Sequence, residues 1–325
     1  MADDFKYHID HHVGLVRPPG LDDVDAAITA ALSMQRGVAL TAVGDGQFRR
    51  RDAFSVVHDH VSGFGSPSPG PLDELLGPRL AGPSRPLRSP VACGRLARDE
   101  AEFLVSATRH PLVIALPSPG YVAAGSGETA AVELAAIVRD EVAALAAEGI
   151  AYVQLHDPVL PFVLTVSGRE RARALGLDPD ALLDLLLTAD AAVLAGLEVP
   201  ADFRIGLDLT TSGSADVSGG YDPKALTTFL DRQPFGRLGV EDPFPLEELR
   251  PGCVVALGVV DVSTSALESV DDLLRRVDEA AAVVAVDDIA IATNGAFVDP
   301  AVEGVQRAKL ELVEVAARYF WGNEL

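Results

Sequence analysis

The chain has 325 residues, 48% apolar and 23% charged, the profile of a globular protein built as one large domain or two smaller ones. Its 48 acidic and 26 basic residues leave a net charge of −22, which disfavours nucleic acid or an anionic membrane as a partner. Two cysteines make no disulfide framework, no apolar run nears the ~20 residues of a membrane span, and the opening MADDFKYHIDHH lacks a signal peptide's apolar core, so a cytoplasmic protein is expected.

In chain order, residues 12–16 form a short apolar run closed by the turn signal Arg17-Pro18-Pro19-Gly20, and 21–34 carry a helix that Gly37 ends. An apolar strand over 38–43 opens into the polar loop Gly44-Asp45-Gly46-Gln47-Phe48-Arg49-Arg50. Residues 52–95 break the rhythm: 54–61 alternate as a strand or hairpin arm would, and a stretch rich in Gly, Pro and Ser follows. So long an excursion predicts an insertion that serves as lid or side wall. Regular alternation then returns. Helices are predicted over 98–108, 128–148, 178–196, 222–231, 267–284 and 301–319, and strands over 111–116, 151–155, 205–209, 238–240, 254–259 and 289–293.

Eight continuous apolar strands, most followed by a helix, predict an α/β fold over 1–325: a single-domain (β/α)8 TIM barrel with its long insertion after strand 2. A doubly wound open sheet is the alternative, weakened because no Gly-x-Gly-x-x-Gly follows an early strand. In a barrel, chemistry sits at the carboxyl ends of the strands. The residues there are His12 and Gly14; Asp45, Gln47 and Arg49; Ser118; His156 and Asp157; Asp208 and Thr210; Glu241 and Asp242; Asp261; and Asn294. Carboxylates with one or two histidines suit acid–base work or a hard metal ion, and an arginine suits an anionic group. Capping of the following loops is the competing role for Asp157, Asp242 and Asp261.

Other features have plainer readings. His58-x-His60 and the group His8, His11 and His12 are expected to be surface or packing residues rather than metal ligands. Phe320-Trp321 reads as a packed helix end, with a homo-oligomer contact as the alternative. Cys93 and Cys253 read as small core residues.

Six stretches in order resemble the cobalamin-independent methionine synthase family, within the superfamily that also contains uroporphyrinogen decarboxylase. They are His12-Val13-Gly14 with Arg17-Pro18, Asp45-Gly46-Gln47-Phe48-Arg49-Arg50, Tyr152-Val153-Gln154-Leu155-His156-Asp157-Pro158, Gly219-Gly220-Tyr221-Asp222, Leu257-Gly258-Val259-Val260-Asp261 with Glu268, and Lys309-Leu310. The resemblance covers almost the whole chain and is to the members that consist of the catalytic domain alone. It implies a (β/α)8 barrel, a zinc-bound thiolate and methyl transfer from methyltetrahydrofolate. The departures fall at the chemistry. The family's His-x-Cys zinc pair falls on Asp208-Leu209-Thr210, its Glu ligand on Glu241, and its last Cys on Asn294, a set unsuited to thiol-activating zinc. The carboxylates that face the homocysteine ammonium in the family fall on Gln47 and His156, and the serine after Gly14 is missing.

Three functional readings follow. The first is metal-free acid–base chemistry, by a lyase, decarboxylase or hydrolase, on a small anionic molecule, with no cofactor and zinc unexpected. There His156 is the general acid or base, with Asp208, Glu241, Asp157 and Asn294 around it. His12, Gly14, Asp45, Gln47, Arg49, Ser118, Thr210, Tyr221 and Asp261 bind substrate. The second is methyl or alkyl transfer to a changed acceptor, or with His156, Asp208 and Glu241 holding iron or manganese. The third is a non-catalytic binding or accessory protein.

Overall fold

The structure is a computed structural model and describes residues 8–66, 68–82 and 85–322; the first seven residues of the segment read above for a signal sequence lie outside them. Helix α1 (Val24–Gly37) starts at Asp23, whose carboxylate accepts from the Ala26 N–H. The 52–95 excursion holds the short helix α2 (Ser55–His58), strand β1 (Val61–Phe64), helix α3 (Pro71–Leu76) and strand β2 (Pro86–Ala92), the two strands pairing antiparallel. The strand expected over 54–61 is thus helical in its first half. Asp52 accepts from the Phe54 and Ser55 N–H groups, and that local cap starts a helical turn instead.

After helix α4 (Arg98–Ala107) come β3 (Val113–Pro117), α5 (Pro119–Ala123), α6 (Glu128–Glu148), β4 (Tyr152–His156), α7 (Val159–Leu164), α8 (Val166–Ala174) and α9 (Pro179–Leu194). Then follow β5 (Arg204–Asp208), α10 (Pro223–Arg232), β6 (Arg237–Glu241), β7 (Val254–Val260), α11 (Val270–Ala281), β8 (Ile289–Thr293) and α12 (Gln306–Trp321). Strands β3 to β8 lie side by side in sequence order as one parallel six-stranded sheet. Six of the eight predicted runs each supply one of these strands.

The first two runs behave differently. Residues 12–16 pair with no strand among the described residues; Ile9 bridges in parallel to Ile291 instead, and Val43 bridges to Leu112. Val13, Leu15 and Val16 are nonetheless buried, packed as loop. Their apolarity signalled burial, not extension.

The two faces of the sheet differ in size and polarity. On one, Ile114, Leu116, Leu155, Leu207, Val255 and Ile291 pack into the main core with the helices, each contributing roughly 1.5–3 kcal/mol. Alternation turns Ala256, Ala290 and Ala292 to the other face, where they form a small separate cluster. These small side chains and Gly206, where a Cβ would lie 3.0 Å from the Tyr152 hydroxyl, leave room there for a buried polar group. Arg237 is ion-paired with Asp10 and donates to the Tyr152 hydroxyl at 3.2 Å, and Gln154 donates to Asp10 at 3.2 Å.

Several side chains meet their expected fates. His8 stacks on Trp321 with ring centroids 4.2 Å apart, so the aromatic end of α12 is a packed anchor. His11 bonds Gln35 at 2.9 Å, and His58 stacks on Phe54. Cys253 is buried, but Cys93 is exposed, contrary to expectation. It follows the edge strand β2, where its backbone N–H is bound by the His60 carbonyl at 2.7 Å and its side chain faces outward. No helix of the described residues is long and apolar enough to cross a membrane.

Candidate functional site

A cavity of about 260 Å³ opens at the carboxyl ends of β4 and β5, lined by His12, Gln47, Gln154, His156, Asp208 and Thr210 among others. Asp208 is the last residue of β5 and is buried. Its Oδ2 lies 2.7 Å from His12 Nδ1, and its Oδ1 accepts from the Thr210 N–H at 3.0 Å. The other nitrogen of His12 donates to the Thr293 carbonyl at 3.0 Å. Both ring nitrogens thus face acceptors, the arrangement of an imidazolium. Burial opposes that charge on His12, but Asp208 outweighs it, and the His12 pKa is raised. Likewise burial opposes ionisation of Asp208, and His12 prevails to hold its pKa down.

His156 ends β4 and stands beside this pair, its side chain 28% exposed. Its Nε2 lies 2.9 Å from the Thr210 carbonyl and 3.8 Å from Asp208 Oδ2. A carbonyl only accepts, so Nε2 carries the proton. When the ring is neutral, Nδ1 keeps its lone pair, and nothing among the described residues bonds it. Tyr121 packs edge-on to the ring with centroids 6.1 Å apart and fixes its plane.

Gly239 is the cavity's hidden spacer. It pairs with Asp208 across β5 and β6, and a Cβ there would lie 2.7 Å from Asp208 Oδ1. Gly239→Ala is expected to push the carboxylate off His12 and destabilise the protein by about 1–3 kcal/mol, measured by urea denaturation; an unchanged midpoint would contradict that role. Gly14 acts similarly at the rim, where a Cβ would meet that of Ala296 at 2.8 Å.

The remaining expected site residues divide by place. Asp157 and Ser118 lie behind His156. The Ser118 hydroxyl donates to Asp157 at 2.8 Å, and the Asp157 carboxylate caps α7 by accepting from the Val159 and Leu160 N–H groups. Burial pushes the carboxyls of Asp157 and Asp190 up, Asp190 further because it also faces Asp157. Glu241 accepts from the N–H groups of Thr211 and Gly213 and so holds the loop after β5. Burial pushes its pKa up as well. Asn294 binds the Val262 N–H at 2.9 Å and Asp261 at 3.2 Å, so these two join the loops after β7 and β8. Asp45 is buried below the cavity with its Oδ1 on the Gln47 N–H at 2.9 Å. Tyr221 packs edge-on against Phe244, and Asp242 pairs with Arg276 at 3.4 Å.

Arg49, the expected anion ligand, does not line the cavity. It pairs with Asp25 at 2.5 Å and lies over the Phe103 ring. Arg17, Arg50, Arg51 and Arg79 line it instead. Arg50 is held bidentately by Glu100, Arg51 by Asp59, and Arg79 by Asp299. Arg17 is exposed and bonds only the Arg50 carbonyl, at 3.2 Å, with no carboxylate partner among the described residues. Asp52, Ala53, Arg79 and Leu80 bring the 52–95 excursion to the cavity wall. Arg17 was legible as part of the Arg-Pro turn and Gln154 as part of the Tyr152–Pro158 stretch; nothing in the local sequence marked Asp10, which long-range contacts recruit.

No protein-family profile matches the chain. A Bacillus subtilis protein, YxjH, described as uncharacterized, is 26% identical over 300 residues, covering 83% of this chain and 77% of its own length. A Listeria monocytogenes crystal structure, provisionally assigned as a vitamin-B12-independent methionine synthase, superposes with a TM-score of 0.72 at 20% identity over 98% of both chains. A B12-independent methionine synthase from Shewanella sp. W3-18-1, in complex with selenomethionine, gives 0.69 at 18% identity over 96% of this chain and 97% of that one. The chain has the fold of these methionine-synthase-like proteins. Within that fold, no three His, Cys, Asp or Glu side chains of the described residues group as a metal site.

Proposed function

We propose that the chain is a single-domain (β/α)8 barrel enzyme that performs acid–base chemistry on a small anion, with residues 52–95 as an inserted side wall. Closure of the barrel is supported by the contacts that continue the sheet past its edges. The backbone N–H of Asp10 donates to the Ile291 carbonyl at 2.9 Å, that of Thr41 to the Ile9 carbonyl at 3.4 Å, and that of Val113 to the Val43 carbonyl at 3.0 Å.

The observation that carries the chemistry is His156. It is pinned at Nε2 by Thr210, open at Nδ1, and set in a cavity beside the buried His12–Asp208 pair. His156 takes or returns a proton at Nδ1, while the fixed charge of His12 and its partner Asp208 sets the local field. Arg17 supplies the cation for an anionic substrate.

The zinc that the resemblance implies does not fit these residues. Asp208 is spent on His12, Thr210 donates to Asp208 at 3.2 Å, Glu241 takes two backbone N–H groups, and Asn294 ties two loops together. None is a thiolate, and each already has a protein partner. The second reading, methyl transfer to another acceptor, is favoured by the structural likeness to two proteins described as B12-independent methionine synthases.

The test is to follow a cellular metabolite extract by mass spectrometry with the wild type and with His156→Gln. The wild type is expected to consume a small anion, and the variant to do so roughly 10²–10⁴-fold more slowly. Equal rates would remove His156 from the chemistry, and no consumption by either would favour a binding protein. Near-stoichiometric zinc by plasma mass spectrometry would restore thiol alkylation.

A further inference from the structure

The cavity wall holds a buried acceptor without a partner. Gln154, between Tyr152 and His156 on β4, is 3% exposed and lines the cavity. Two acceptors set the orientation of its amide: Nε2 donates to Asp10 Oδ1 at 3.2 Å and to the His11 carbonyl at 2.9 Å. Oε1 is turned away from them, and no donor among the described residues reaches it. An amide oxygen left so has lost its hydration with nothing in return. At a cavity wall, that cost is relieved by a donor that a ligand brings.

The surroundings restrict what the donor can be. The carboxylates nearby are already compensated, Asp10 by Arg237 and Asp208 by His12. An ammonium group would find no counterion there and would lose its hydration. A carboxamide would bring a carbonyl oxygen of its own, which needs a donor. The donors at this end are used: Gln154 Nε2 on Asp10 and His11, His12 on Asp208 and Thr293, Thr210 on Asp208. A hydroxyl meets Oε1 with neither penalty. Arg17, on the same cavity, has no carboxylate partner among the described residues.

If the cavity takes an anion, as proposed above, we infer that this anion also bears a hydroxyl: a small hydroxycarboxylate or its phosphate counterpart, with the charge on Arg17 and the hydroxyl donating to Gln154 Oε1. Gln154 then discriminates the substrate from its deoxy analogue, because the analogue leaves the buried oxygen unpaired.

Calorimetric titration of the full chain with matched pairs tests this: malate against succinate, lactate against propionate, and glycerol 3-phosphate against propyl phosphate. In any pair that binds, the hydroxyl member is expected to bind about tenfold tighter or more. Gln154→Met is expected to erase that preference while still binding the hydroxyl-free member, and Arg17→Ala to weaken both members. Equal affinity within pairs, with Arg17→Ala still weakening both, would overturn the hydroxyl inference and leave the anion reading standing. Binding indifferent to Arg17→Ala, or no binding by any member, would overturn both. The wild-type comparison decides the matter even if Gln154→Met fails to fold.

Discussion

Asp208→Ala is expected to destabilise the protein by about 3–5 kcal/mol at pH 5, because it strands the His12 imidazolium in a buried site. The size of the loss depends on pH. In the wild type, Asp208 holds the His12 pKa up and His12 holds the Asp208 pKa down. Their pair therefore contributes stability between two limits, lost as pH falls through the lowered Asp208 value and as it rises through the raised His12 value. In the variant, burial, the largest influence on His12, is opposed only by Asp10 and the Thr293 carbonyl and favours the neutral ring. Folding then expels the proton, and stability rises with pH. Urea titrations at pH 5 and pH 8 are expected to show the smaller penalty at pH 8. The double variant His12→Leu/Asp208→Ala is expected to cost less than the sum of the single changes. A penalty that is the same at both pH values would rule out the ion pair.

The second large effect belongs to Asp45. Burial and the neighbouring Glu100 raise its pKa to about 7, against the pull of Arg50. Oδ2 is buried without a partner among the described residues, so the protonated form suits the site. The folded chain keeps a proton here that the unfolded chain releases near pH 4, so this contribution to stability is full below about pH 4 and is lost as pH rises to about 7. Asp45→Asn keeps the acceptor for Gln47 and removes the ionisation. It is expected to match the wild type at pH 4 and to exceed it by on the order of 2–4 kcal/mol at pH 8. Asp157, Asp190 and Glu241, also raised by burial, give a slope of the same sign, so the dependence is reduced and not abolished. Parallel stability curves for the two proteins across that range would contradict the assignment.

How far the site was legible follows from the kind of signal each residue gave. His156, Asp208 and Thr210 were found from strand ends, because a strand's last residue projects where the sheet stops, and periodicity locates that point. They do converge on one cavity. Arg49 and Arg50 are neighbours in a loop, and pattern could not say which turns inward. Gln47 at φ +60° and Gly46 at φ +70° reverse the chain there, sending Arg50 to Glu100 and Arg49 to Asp25. The 12–16 run misled for a related reason: loop and strand residues are apolar alike when both are buried.

By itself the sequence determined the alternation of strands and helices, the placing of polar residues at strand ends, and the acidic surface, since each depends on neighbours in the chain or on composition. Tertiary structure decided the charge states and the partners. Asp10 meets Arg237 and Gln154, and His12 meets Asp208 and Thr293, across separations of well over a hundred residues. Burial and pairing set the protonation of such groups, and both arise only when distant strands are brought side by side.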